Sequence, residues 1–131
     1  MKPETKFWQE IEPYIKGFKQ RIETPIAKGV PDVYVCYKGL SYWIETKVWE
    51  PNVGVLLRKE QYAWANMLQM SGGLVFAIVK RDKQILVMPI WTCIVEPYGK
   101  QEVYVRVLSW NGNYTDKKKE LQVILQKILF T

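Results

Sequence analysis

The chain has 131 residues, 48% of them hydrophobic, which suits one compact domain with its own core; no apolar run approaches the ~20 residues that a membrane span needs. Lysine and arginine number 19 against 13 aspartates and glutamates, a formal charge of +6 that favours a polyanionic partner such as nucleic acid. Histidine is absent, which removes the usual base of serine and cysteine hydrolases, so an enzyme built from this sequence has to work with carboxylates, lysine and a metal.

Met1-Lys2-Pro3-Glu4-Thr5-Lys6 leads into an amphipathic segment and not an apolar one, so no signal peptide is read and a cytoplasmic location is expected. Residues 3–18 predict a first helix, with Pro3 in its first turn and Phe7, Trp8, Ile11, Ile15 and Phe18 as its apolar stripe. Pro13 bends this helix or splits it in two, and Gly17 is a point of termination. Glu4 falls near the centre of the stripe, where a charge is costly unless it is paired or coordinates a metal. A carboxylate in the first turn also suits the helix dipole whatever its role. Residues 19–24 read as a short edge strand. Lys16, Lys19, Arg21 and Lys28 make this end basic, for phosphate contact or for plain solvation.

Gly29-Val30-Pro31-Asp32 is a turn that ends on an aspartate. Residues 33–37 and 41–48 then read as two strands joined at Lys38-Gly39. A hairpin of that size brings its outer ends together, which sets Asp32 beside Glu45, Thr46 and Lys47. Strand side chains alternate, so Trp43, Glu45, Lys47 and Trp49 share one face and Ile44, Thr46 and Val48 the other. Glutamate and lysine on one face usually form a solvated ion pair. A solvated face rarely carries two tryptophans, however. Two neighbouring carboxylates repel unless a cation sits between them, and such hard oxygen ligands suit Mg²⁺ or Mn²⁺. A lysine two residues further on can orient or deprotonate a water and offset charge on a phosphate.

Glu50-Pro51-Asn52-Val53-Gly54 is a loop next to these residues, placed to touch a substrate. Residues 58–70 predict a second helix that carries Gln61 and has a broad apolar face of Leu57, Trp64, Ala65, Met67 and Leu68; Gly72-Gly73 ends it. Residues 74–79 read as a strand buried on both sides, and after a turn at 81–83 residues 84–88 return as another. Residues 91–95 and 102–110 read as strands separated by Pro97-Tyr98-Gly99, and Asn111-Gly112-Asn113 as a turn. Thr115 or Asp116 caps a last helix with Leu121, Ile124, Leu125, Ile128 and Leu129 as its stripe, expected to pack on the domain in preference to a dimer partner. Lys117-Lys118-Lys119 opens it, as a surface for phosphates or as a solvated run. Cys36 and Cys93 each sit in an apolar run and read as reduced core residues; without histidine they make no usual zinc site.

Gly29-x-Pro31-Asp32, then Glu45-Thr46-Lys47 in a strand, then a helix with Gln61 followed by Trp64, resembles the PD-(D/E)XK nuclease superfamily. Within it the pattern is most similar to the small VRR-Nuc group and to Holliday-junction-resolvase-like phage nucleases, over roughly residues 4 to 80. The resemblance implies one nuclease domain over residues 1–131 with an α/β, restriction-endonuclease-like fold, a central mixed sheet flanked by helices. It implies Mg²⁺-dependent hydrolysis of DNA phosphodiesters, with Mn²⁺ as a substitute and no organic cofactor. Asp32 and Glu45 would be metal ligands, helped by the Thr46 backbone carbonyl. Lys47 would position the attacking water, Gln61 would orient a water or a ligand, and Glu4 would be the first-helix glutamate that reaches the metal or its water shell. Arg58 and Lys59 join Lys16, Lys19, Arg21 and Lys28 as candidate DNA contacts.

A domain of this size has no room for a separate target-recognition unit, so recognition of DNA shape is expected, at four-way junctions or other branched forms. Symmetric cutting of a two-fold junction needs two sites, hence a homodimer. No membrane partner is expected, and a phage-encoded chain would act in its host's cytoplasm. The alternative is a nucleic-acid-binding module on the same scaffold without cleavage. The intact Asp32, Glu45 and Lys47 argue against it, and against a purely structural protein whose carboxylates are simply paired.

Overall fold

A computed structural model describes residues 2–22 and 29–130. Its centre is a hairpin of β2 (Val33–Tyr37) and β3 (Leu40–Val48). Tyr37 pairs with Leu40 across Lys38 and Gly39, whose φ values of +50° and +79° give the left-handed turn that matches strand twist. β1 (Phe18–Arg21) adds antiparallel at one side of β2. On the other side β3 pairs parallel with β5 (Val75–Arg81), which requires a crossover. That crossover contains β4 (Leu56–Arg58) and α2 (Lys59–Met70). β6 (Gln84–Pro89) and β9 (Asn113–Thr115) complete a six-stranded mixed sheet in the order β1-β2-β3-β5-β6-β9. β4 pairs away from it, in a three-stranded antiparallel sheet with β8 (Tyr104–Ser109) and β7 (Ile94–Tyr98) in the order β4-β8-β7.

Each face of the main sheet buries its own core. One face carries Val33, Val35, Tyr42, Ile44, Phe76, Ile78 and Val87 against Phe7, Trp8 and Ile11 of α1 (Pro3–Ile11) and Leu121 and Leu125 of α3 (Leu121–Leu129). The other carries Val75, Ala77, Val79, Leu86 and Met88 against Ala65 of α2, with Trp43, Trp64 and Val107 packed around them. β5 contributes alternate residues to both cores, as its continuous apolar run predicts. Among the described residues no helix is long and apolar enough to cross a membrane.

Several expected boundaries move. The first helix stops at Ile11, and Pro13 marks a separate 3₁₀ turn over Glu12–Tyr14. Phe18 leaves the predicted stripe, is 60% exposed and starts β1. The cause is Gly17, whose φ of +112° turns the chain, and where a Cβ would lie 2.5 Å from the Cys36 carbonyl oxygen. Residues 23–28, which include Lys28 and the end of the expected edge strand, lie outside the described residues. After β3 the chain turns sharply, Glu50 N–H donating to the Gly54 carbonyl at 2.9 Å, and the unexpected strand β4 follows, so α2 begins at Lys59 and not at Arg58. Met67, assigned to the apolar face of α2, is 70% exposed.

Pro97 and Tyr98 belong to β7 and not to a turn; as an edge strand β7 tolerates a residue without an N–H. Asn113 opens β9 where a turn is predicted. Thr115 does not cap α3: its hydroxyl accepts the Lys117 N–H at 3.0 Å and donates to the Glu120 carboxylate at 2.8 Å, and Lys118–Glu120 form a 3₁₀ turn ahead of the helix. The three lysines therefore precede α3 instead of opening it. Cys36 and Cys93 are free, but half-buried and not fully in the core.

Gly17→Ala combines strained backbone with a steric overlap. It is expected to destabilise the protein by about 1–3 kcal/mol, read as a lower urea midpoint at unchanged slope.

Candidate active site

Asp32 stands one residue before β2, and its position is fixed from both sides. Its Oδ2 accepts the backbone N–H of Thr46 at 3.0 Å and the Thr46 hydroxyl at 2.9 Å, which ties it to the last part of β3. Behind it, Gly29 has φ +92° and no room for a Cβ, which would lie 2.4 Å from the Glu60 carbonyl oxygen. The turn before Asp32 is thus pressed against the first turn of α2.

Glu45 is 3% exposed. Its Oε1 accepts a hydrogen bond from Gln61 Nε2 at 2.8 Å and lies 3.9 Å from Lys47 Nζ, while its Oε2 is buried and, among the described residues, receives no hydrogen bond. Gln61 is the hub of the cluster. Its Oε1 accepts from Lys47 Nζ at 3.0 Å and from the Arg58 N–H at 2.9 Å, so one buried amide holds Glu45, Lys47 and the start of α2 together. Burial pushes the Glu45 carboxyl up to about 8, and the charge and hydrogen bond of Asp32 add to the rise; Lys47 and Arg58 pull the other way.

These groups line an open hollow of about 500 Å³ together with Lys2, Glu4, Arg21, Glu50, Leu56 and Tyr104. Asp32, Glu45, Thr46, Lys47 and Gln61, expected to share one site, are brought together here. Glu4 is half-buried and lines the same hollow, but among the described residues no three acidic or cysteine side chains gather closely enough to hold one ion. Arg58 lines the hollow, and Lys59 is exposed beside it. Arg21 lines it too and donates to the Thr5 hydroxyl at 2.7 Å. Lys19 is engaged elsewhere: its ammonium donates to the Glu12 and Ile15 carbonyls at 2.9 and 2.6 Å and pairs with the Glu12 carboxylate at 3.1 Å. Lys16 is exposed on the far side of that turn, its N–H on Gln122.

The two tryptophans that share the Glu45 face are structural flanks. Trp43 packs edge-on against Trp64 of α2 and against Tyr34, each at 5.2 Å between ring centroids, and Trp49 lies under the Arg81 guanidinium at 4.3 Å. Tyr104 and Leu56 were not anticipated at the site. They arrive through the β4–β8 pairing, which no local pattern announces.

The six-stranded mixed sheet between helices, with this cluster at one end of β2 and β3, is a restriction-endonuclease-like α/β fold. Among solved structures, the chain is similar to Hjc of Archaeoglobus fulgidus, described as a Holliday junction resolvase from an archaeal hyperthermophile. The TM-score is 0.51 at 15% sequence identity, covering 79% of this chain and 85% of that one. No protein-family model and no curated protein matches the chain.

The Glu45 shift sets a pH dependence. Unfolded, this group ionises near 4.5; folded, it keeps its proton to about 8. The stability it lends the metal-free fold is complete below pH 4.5 and is lost as pH rises through 8. In chelator, thermal melts of wild type and Glu45→Gln are expected to run closest in acid, and wild type is expected to lose ground to the variant between about pH 4.5 and 8, the gap levelling off above that. Parallel curves would show that Glu45 titrates normally.

Proposed function

We infer that this protein is a metal-dependent endonuclease that hydrolyses DNA phosphodiesters and selects its substrate by structure, at four-way junctions or other branched DNA. The observation that carries this reading is the Glu45 carboxylate, buried beside Asp32 with one oxygen that receives no hydrogen bond from the described residues, and a lysine on the same hub. A buried carboxylate oxygen without a partner is costly, and a hard divalent cation is the partner that two adjacent carboxylates would share. Asp32 and Glu45, with the Thr46 backbone carbonyl, would hold Mg²⁺ or Mn²⁺, which when bound would acidify a water and neutralise phosphate charge. Two carboxylates are enough for Mg²⁺, which keeps several waters of its own.

The protein's own groups supply the rest. Thr46 fixes the orientation of Asp32, and Gln61 fixes Glu45 and Lys47 relative to each other. The Lys47 ammonium orients the attacking water and meets the charge that builds on the phosphate. Glu4, which lines the same hollow, would reach that ion's water shell. Arg21, Arg58 and Lys59 take neighbouring phosphates, which supplies affinity without sequence preference. A two-fold junction would be cut by a homodimer, one site per strand. The fold shared with Hjc supports this reading.

Purified protein with a labelled four-way junction and Mg²⁺ is expected to nick it, and EDTA to stop the nicking. Asp32→Ala should lose cleavage and keep junction binding, and Lys47→Ala should lose roughly 10²-fold or more in rate at saturating Mg²⁺. Chelator-resistant nicking, or wild-type rates in Asp32→Ala, would overturn the assignment; binding without nicking by wild type would favour the non-cleaving module.

Glu4 gives a finer test. Glu4→Gln is expected to slow cleavage and raise the Mg²⁺ needed for half-maximal rate, with the melting temperature nearly unchanged. An unchanged Mg²⁺ titration curve removes Glu4 from the site.

A further inference from the structure

The outward face of the small sheet carries a row of side chains that ends at the catalytic hollow. Tyr98 of β7 is directly opposite Tyr104 of β8, and Tyr104 is directly opposite Arg58 of β4. Directly opposed residues in antiparallel strands share a face, with Cβ atoms about 4.5–5.5 Å apart. The opposite face, with Leu57 and Val105, is buried at 1% and 8%. The row is open to solvent at its inner end and partly so at its outer end: Arg58 is exposed, Tyr104 is 39% exposed and Tyr98 is half-buried. Its inner end joins the cluster, since the Arg58 N–H bonds the Gln61 amide that holds Lys47 and Glu45, and Arg58 and Tyr104 both line the hollow.

We propose that this Arg58–Tyr104–Tyr98 row binds unpaired nucleotides that leave the hollow next to the scissile phosphate, so that the favoured branched substrates are those with a frayed or single-stranded segment at the branch. The inference rests on the nuclease reading for the place of the scissile phosphate. Arg58 suits the first phosphate beyond the hollow, and the two tyrosines suit base faces, as aromatic side chains on an open sheet do in single-strand binders. Charge decides between this and a duplex. A duplex backbone needs cations along its path. Beyond Arg58 the row has none, and in the adjacent row Arg106 is neutralised by Glu96 at 3.7 Å. Bases stacked within a duplex also offer no free face to a tyrosine.

The test is fluorescence anisotropy in EDTA with two probes, a blunt duplex and the same duplex with a short single-stranded tail, the first unpaired base being 2-aminopurine. Tyr104→Ala is expected to weaken binding of the tailed probe by roughly tenfold or more and leave the blunt probe within about twofold. Tyr104→Phe should restore the tailed affinity, Tyr98→Ala should give a smaller loss on the tailed probe alone, and wild type but not Tyr104→Ala should quench the 2-aminopurine. The blunt probe reports intact folding in every variant. An equal loss on both probes, or no loss on the tailed one, overturns the proposal. Because these measurements contain no metal and no cleavage, a wild-type protein that fails to cut branched DNA in Mg²⁺ would sink the nuclease reading separately.

Discussion

A carboxylate that is 3% exposed and lies beside a second carboxylate is the costly element of this structure, and much of the surrounding architecture answers it. Gln61 donates to one Glu45 oxygen and uses its own carbonyl to hold Lys47, so the amide relays a positive group toward the acid without bringing the ammonium into close contact. Thr46 gives Asp32 two hydrogen bonds, which hold its carboxylate in place next door. Among the described residues the second Glu45 oxygen receives no hydrogen bond. A fold maximising its own stability would fill that space with an apolar residue. Keeping an acid there is what the proposed metal site would require.

The cluster depends on three chain segments distant in sequence, and backbone constraints set their registration. The two-residue turn at Lys38-Gly39 fixes the register of β2 on β3, and a slip of one residue would send Glu45 and Lys47 to the opposite face. The parallel pairing of β3 with β5 forces a crossover over the sheet, and the crossover delivers Gln61. Gly29 then lets the Asp32 turn close against Glu60. None of these devices touches a substrate, yet each sets the distances among those that would.

The sequence made this half of the molecule readable because its signals are local. Alternation in β3, the turn glycine and the Gly-x-Pro-Asp pattern all act within a few residues, and the helix bearing Gln61 follows directly. Residues 90–130 were less legible for the opposite reason. β7, β8 and β9 are short, they pair with strands far away in the chain, and β4 has only three residues wedged between a turn and a helix. Pro97 reads as punctuation by itself and becomes strand only because β7 is an edge. The wall that carries Tyr104 is therefore invisible to pattern reading, although it borders the same hollow.

Charge shows the same gap between composition and position. The formal +6 overstates what could face a polyanion, since Lys19, Lys80, Arg106 and Lys117 each lie within 4 Å of a carboxylate and Arg81 covers Trp49. Around the hollow the balance is even: Lys2, Arg21, Lys47 and Arg58 stand against Glu4, Asp32, Glu45 and Glu50, four cations and four acids. The Glu45 proton, held to about pH 8, tips that balance by only one charge at neutrality. A divalent cation between Asp32 and Glu45 would displace that proton and still leave the hollow more positive than before. Under the proposed function, attraction for a phosphate and occupation by a metal would thereby be coupled through the same two carboxylates, and the high overall charge of the chain would not be what draws DNA to this end of the sheet.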